Sequence, residues 1–233
     1  MKKFLIIGNS AAGIAAAEAI RARDKQSEIS IVSDEGCHAY RRNLIQYFLA
    51  GDIKKDKLFY PPESFYKDNG IELVLGRKVS HVLPKKNRVV CEDKTNFDYD
   101  VLLIATGARP RIPEIKGIRK AGVFGFRTLQ DVKEIQSLLP VVKCVCVMGG
   151  GLVGIAAASA LRRRAMEVKV VVSSSSILSR VFDPGSSAMI QKRLEDNGIE
   201  FVIRQDVAEI IGEGDIKAVK LSSGKIFAAS LVV

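Results

Sequence analysis

Two glycine clusters are the residues of this chain best suited to chemistry. Gly8-Asn9-Ser10-Ala11-Ala12-Gly13 follows a short apolar run at 4–7, and Gly149-Gly150-Gly151-Leu152-Val153-Gly154 follows another at 141–148. Both have the spacing of a GxGxxG turn between a strand and a helix, the first with Ser10 at its middle glycine. Such a turn recognises a diphosphate. Backbone N–H groups and the dipole at a helix start attract negative charge. The first glycine permits the tight turn, the middle one clears space for the phosphates, and the last lets helix and strand approach. Ser10 lacks the usual clearance, which sets a phosphate slightly farther out. The candidates are therefore Gly8, Ser10, Ala11, Ala12 and Gly13 at the first turn, and Gly149, Gly151, Leu152, Val153 and Gly154 at the second.

The two turns are related. Gly13-Ile14-Ala15-Ala16-Ala17 and Gly154-Ile155-Ala156-Ala157-Ala158 spell the same five letters, 141 residues apart. After the first turn, a helix over 14–23 and a strand over 28–33 lead to Asp34-Glu35. Asp34 lies 21 residues beyond Gly13, near the spacing at which a carboxylate accepts hydrogen bonds from a ribose. After the second, a helix over 155–164 and a strand over 168–172 run into Ser173-Ser174-Ser175-Ser176, with no acid in the ribose position. Ser173 is the candidate there. The serines suit a ribose, or a 2′-phosphate with help from Arg180, or a solvated loop. That leaves open a preference for NADPH, acceptance of either nicotinamide nucleotide, or weak binding. The opening letters also look like an export signal, but Gly8 interrupts the apolar run after four residues, whereas an export core needs about 7–15.

The elements that must position these turns alternate between strand and helix. Short strands at 71–75, 79–83 and 88–91 form a meander between the two turns. A buried apolar strand at 100–105 ends in Ala105-Thr106-Gly107. "ARPRIPEIKG" at 108–117 is a linker by its two prolines. A helix over 129–139 has Thr128 as N-cap with Asp131 capping in return. Another starts at Pro184 and stops at Asn197-Gly198. Strands follow at 199–203, 207–211, 216–221 and 227–233. The expected fold is α/β: two Rossmann-like three-layer domains, at 1–107 and 108–233, with an antiparallel β-meander inserted in the first.

Composition narrows the function further. The 233 residues carry a formal net charge of +10, but the basic residues are dispersed, few aromatics accompany them, and Arg162-Arg163-Arg164 ends a helix, where cations complement the dipole. Nucleic-acid binding is therefore not expected. No apolar run approaches the ~20 residues of a membrane helix. Cys37, Cys91, Cys144 and Cys146 form no CxxC pair, which suits a reduced, cytoplasmic protein without a zinc or disulfide framework. Cys144 and Cys146 alternate along a strand and are expected to be buried on one face. His38 and His81 lie far apart, and no hydrolase triad or metal cluster accompanies them.

Four segments together resemble one family: "IIGNSAAGIAAAEAIR", "YRRNLIQYFLAG", "YDVLLIATGARPRIP", and "VMGGGLVGIAAA" followed by "ILSRVFD". They are similar to the FAD-dependent pyridine nucleotide-disulphide oxidoreductases, especially the NADH oxidase, rubredoxin reductase and nitrite reductase-like branch. The resemblance implies FAD on the first turn, with Asp34 or Glu35 at its ribose. It places Arg42 near the flavin pyrophosphate, the Val79 backbone at the adenine, and Ala105, Thr106 and Gly107 beside the flavin. The second turn then takes the nicotinamide nucleotide. The implied activity is an FAD-dependent NAD(P)H oxidoreductase, which passes hydride to the flavin and electrons on to an unidentified acceptor, a small electron-transfer protein among the options. It also allows a homo-oligomer. Three residues depart from the family: Asn43 stands where disulfide-reducing relatives carry a redox cysteine, Ala156 replaces a glutamate, and Val172 replaces the ribose acid of the second site. Family members also run on for well over a hundred residues, so a missing C-terminal return segment is expected. The alternative is a non-catalytic dinucleotide-binding module or a fragment of a longer flavoprotein.

Overall fold

The computed structural model describes residues 1–233 and divides them into two compact units. The first comprises Met1–Arg41 and Lys55–Ala108; the second comprises Arg42–Lys54 and Arg109–Val233.

In the first unit, β1 (Lys3–Ile7) runs into α1 (Ala11–Arg23) and β2 (Glu28–Val32). After the excursion to the other unit, which carries α2 (Ile45–Ala50), come α3 (Ser64–Asp68) and β3 (Ile71–Val74). A meander of β4 (Val79–Leu83), β5 (Arg88–Cys91) and β6 (Asn96–Asp98) leads to β7 (Val101–Ile104). The parallel sheet has the order β3-β2-β1-β7, and the meander is a separate antiparallel sheet, β4-β5-β6. Past the exposed Lys3, β1 is apolar because both its faces are covered. Ile6 joins Ile14, Ala17, Ile29, Ile31, Phe65 and Tyr66 on the helix side. Leu5 and Ile7 join Val32, Val89, Cys91 and Tyr99 on the meander side. Alternate side chains of one strand thus feed two cores.

The second unit repeats this plan. α4 (Leu129–Leu138) precedes β8 (Cys144–Met148), α5 (Leu152–Arg163), β9 (Glu167–Val172), α6 (Pro184–Asp196) and β10 (Ile199–Ile203). A second meander follows: β11 (Val207–Ile211), β12 (Ala218–Leu221) and β13 (Ile226–Ala228). β14 (Leu231–Val232) then pairs parallel with β8, giving the order β10-β9-β8-β14. α2 belongs here. Gln136 donates to the Phe48 carbonyl at 3.0 Å, and Arg163 pairs with Asp52 and lies over the Tyr47 ring.

Four expectations from sequence change. The strand expected at 227–233 is two strands, broken at Ala229-Ser230, one serving the meander and the other the parallel sheet. β6 is an additional three-residue strand with the same role in the first unit. β7 is an edge strand, not a buried one: Val101, Leu103 and Ile104 are exposed, Ile104 by 60 %. Cys146 is buried, but Cys144 on the same face reaches the rim, where its thiol donates to Glu167 at 3.2 Å. No helix is long and apolar enough to cross a membrane.

Candidate functional site

Both glycine turns sit where parallel strands end, the edge at which open α/β sheets take ligands. Gly8 and Gly149 have φ of 116° and 115°, a region that side-chain-bearing residues avoid. Their N–H groups make the same bond to the neighbouring strand, Gly8 to Val32 at 2.8 Å and Gly149 to Val171 at 2.9 Å. The last glycine of each turn is a close-approach position. A Cβ on Gly13 would fall inside the contact distance of the Gly8 carbonyl, and one on Gly154 inside that of Gly149. A Cβ on Gly8 would likewise meet the Ala105 carbonyl, where β7 runs out into Thr106 and Gly107 and the Ala105 N–H donates to Ile7 at 2.8 Å. Gly151 is different. Nothing lies within 4 Å of where its Cβ would be, so the middle of the second turn is an open cradle against backbone.

Among the four longer helices, the starts of α1 and α5 differ from those of α4 and α6. α4 is closed by a capping box, with Asp131 N–H donating to Thr128 Oγ1 at 3.1 Å and Thr128 N–H to the Asp131 carboxylate at 2.8 Å. α6 is capped by Asp183, which accepts from Ser186 N–H at 3.0 Å. α1 and α5 have no side-chain cap and no acid in the first turn. The first N–H groups of any helix lack intrahelical partners. At α1 these belong to the exposed Ala11 and Ala12, and at α5 to Leu152 and Val153, each 61 % exposed. Of the four helices of ten or more residues, the two left uncapped are the two that begin on glycine turns; the short α2 and α3 also lack a side-chain cap. Their donors and dipoles suit a diphosphate, and the cradle at Gly151 has room for one.

In the first unit the carboxylates follow β2 as the spacing predicts. Asp34 is exposed, and Glu35 accepts from the Tyr40 hydroxyl at 2.6 Å. A second brace joins this loop to the glycine turn. The Tyr66 hydroxyl donates to Asn9 Oδ1 at 2.9 Å and accepts from Ala39 N–H at 3.3 Å. Burial pushes the Tyr66 phenol up from its ordinary value. Neither tyrosine was singled out from sequence, because each contact spans a loop of unpredictable path. Val79 opens β4 and packs with Val74 and Val82 on the meander-side core. Arg42 lies in the other unit, where it donates to the Arg127 carbonyl at 3.3 Å. The structure therefore gathers Gly8–Gly13, Asp34, Glu35, Val79 and Ala105–Gly107 in one unit, and Arg42 with Gly149–Gly154 and Ser173 in the other.

The loops after β2 and β9 correspond bond for bond. Arg77 N–H donates to the Ser33 carbonyl at 2.8 Å, as Gln205 does to Val172 at 3.1 Å. Gly76 N–H donates to the Glu35 carbonyl, and Arg204 N–H to that of Ser174, both at 3.2 Å. Ser33 thus corresponds to Val172, Asp34 to Ser173, Glu35 to Ser174, and Gly76 to Arg204. Val172 is 2 % exposed, with its methyls about where a side chain on Gly150 would go. A tie at the far end of the sheets repeats as well: Arg21 Nε donates to the Asn69 carbonyl at 2.7 Å and Arg162 Nε to that of Asn197 at 2.9 Å. Arg204 was missed from sequence. The signal was present: Asp68-Asn69-Gly70-Ile71-Glu72 recurs as Asp196-Asn197-Gly198-Ile199-Glu200, and counting on from either copy reaches Gly76 or Arg204.

The family model described as "Pyridine nucleotide-disulphide oxidoreductase" matches residues 2–233. An NADH oxidase of Methanocaldococcus jannaschii is 33 % identical over 98 % of this chain and 53 % of its own length. A rubredoxin-NAD(+) reductase of Ectopseudomonas oleovorans is 30 % identical over 98 % of this chain and 60 % of its own. Among solved structures, the ferredoxin reductase for the CYP199A2 system of Rhodopseudomonas palustris superposes with a TM-score of 0.93 at 27 % identity, covering 100 % of this chain and 58 % of that one. The chain spans about half the length of such relatives.

Proposed function

Since the chain belongs to the pyridine nucleotide-disulphide oxidoreductase family, we propose that it serves FAD-dependent oxidation of NAD(P)H, with electrons passed on to a second acceptor. The observation that carries this is the pair of uncapped helix starts on glycine turns, set against the capped α4 and α6. One turn takes the ADP half of FAD, the other that of a nicotinamide nucleotide. FAD, when bound, supplies the acceptance of hydride and the release of electrons. The chain's own residues bind and orient. The Gly8–Gly13 turn and the α1 N–H groups hold the first diphosphate. Glu35, steadied by Tyr40, accepts from the ribose. The Val79 backbone would meet the adenine, and Ala105–Gly107 would border the flavin. Gly149, Gly151, Gly154 and the N–H groups of Leu152 and Val153 hold the second diphosphate, with Ser173 beside the ribose.

Asn43 carries no thiol, so electrons leave without a cysteine relay at that position. Relatives named for rubredoxin and ferredoxin support a small electron-transfer protein as the acceptor. Four free cysteines suit a reducing, cytoplasmic setting. The test is optical. The purified chain, mixed with FAD and gel-filtered, is expected to elute yellow, and NADPH or NADH under nitrogen to bleach it. A colourless protein after added FAD refutes the activity; flavin retained but not reduced would make the chain a binding module.

A further inference from the structure

The correspondence between the two loops assigns a specificity to the second turn that its glycines do not. We infer that this turn selects the 2′-phosphorylated nucleotide, NADP(H), over NAD(H), with Ser173 and Arg204 as partners of the 2′-phosphate. This rests on the dinucleotide reading of that turn and deepens it.

In a sheet of this kind the adenosine ribose lies at the end of the strand after the glycine-turn helix. A carboxylate there takes the free 2′-hydroxyl and repels a phosphate, whereas a nearby arginine accommodates one. In the first unit that loop carries Asp34 and Glu35, with Gly76 passing beside Glu35. In the second unit the same backbone bonds bring together Ser173, Ser174 and Arg204. Both carboxylates have become hydroxyls, and the glycine has become an arginine. At the strand end itself Val172 is buried and offers no acceptor to a ribose hydroxyl.

The loop is also held in place. Arg204 N–H bonds Ser174, Gln205 N–H bonds Val172, and Leu178 N–H bonds the Gly150 carbonyl at 2.7 Å, which ties the serine loop to the glycine turn itself. Ser174 Oγ is committed to the Ser176 carbonyl at 2.7 Å, which leaves the exposed Ser173 as the hydroxyl for a ligand. Arg204 is exposed and held at φ 59°, which fixes its backbone next to Ser174. Residues 173–182 contain no acid, and Arg180 adds a cation. Of the acids on either side, Asp183 is committed to capping α6, while the backbone of Asp206 is bonded to Ser222 on the meander. A hydrogen bond to a charged group contributes about 1.5–3 kcal/mol, so one guanidinium on a 2′-phosphate corresponds to a preference of at least about tenfold.

The test is calorimetric titration of the full chain with NADP⁺ and NAD⁺, which differ only in that phosphate and need no turnover. NADP⁺ is expected to bind at least about tenfold more tightly. Arg204→Asn keeps a residue that tolerates positive φ, and it is expected to remove most of the difference while leaving NAD⁺ affinity and the far-ultraviolet circular dichroism unchanged. Ser173→Asp with Ser174→Glu, which restores the acids of the first loop, is expected to reverse the order. Equal or tighter binding of NAD⁺ by the unaltered chain overturns the preference while leaving the dinucleotide site intact. An unchanged ratio in Arg204→Asn overturns the role of that residue. Binding of neither nucleotide removes the dinucleotide reading, and the preference with it.

Discussion

Two glycines three residues apart in the second turn are predicted to fail in opposite ways. Gly151 has φ −80° and ψ 177°, an extended conformation open to any residue, and a Cβ there meets nothing within 4 Å. Gly151→Ala therefore adds no clash, and by restricting the unfolded chain it is expected to stabilise by up to about 1 kcal/mol. The new methyl does stand in the cradle where a diphosphate must approach the backbone. Displacing the phosphates from the N–H groups of Leu152 and Val153 costs at least one charge-assisted hydrogen bond, about 1.5 kcal/mol, or roughly tenfold in affinity. Gly154→Ala reverses the pattern. Its Cβ falls inside the contact distance of the Gly149 carbonyl, so α5 must lift from β8, and overpacking of this kind costs about 1–3 kcal/mol. Urea unfolding followed by circular dichroism gives the stabilities, and titration with NADP⁺ gives the affinities. Loss of stability in Gly151→Ala with affinity retained, or a Gly154→Ala as stable as the parent, would refute the division of labour between the two positions.

Other outcomes follow from the same geometry. Thr128→Ala opens the capping box of α4 and is expected to cost about 1 kcal/mol in urea unfolding, with nucleotide affinity untouched. Arg21→Ala and Arg162→Ala each cut the tie from a helix end to the turn before an edge strand, at Asn69 before β3 and at Asn197 before β10, and are expected to cost about 1 kcal/mol apiece and nearly additively. Asp24 accepts from the Ser27 hydroxyl at 2.5 Å, from Ser27 N–H and from Gln26 N–H, bonds that hold its carboxyl down at about 2 from 3.8. Its contribution is therefore complete above pH 4 and lost as the pH falls toward 2. Asp24→Asn should flatten that part of an acid-unfolding curve. Burial pushes the Cys146 thiol up to about 12, so maleimide at pH 8 should spare Cys146 in the native chain and label it only after unfolding.

How much of this was legible depended on the range of the interaction involved. Turns and caps are local: GxGxxG, Thr128 with Asp131, Pro184 and Asn197-Gly198 all placed elements within a few residues of where they lie. Burial is not local. "VLLI" reads as a buried strand, yet β7 has a neighbour on one edge only, and Ile104 is exposed. Cys144 and Cys146 share a face, as alternation requires, but only the inner one lies under the second meander. Three-residue strands such as β6 and β13 carry too few side chains for a period to register. At the candidate site, the diphosphate half was visible because its donors are adjacent in sequence. The ribose half was not, because Glu35 meets Gly76, and Ser174 meets Arg204, only through bonds made after the sheet has formed.

The most direct measurement is a crystal structure of the 233-residue chain grown with FAD and NADP⁺. A diphosphate on the N–H groups of Ala11 and Ala12, and another on those of Leu152 and Val153, is the predicted result. Dinucleotides bound elsewhere, with both helix starts meeting only solvent, would contradict it.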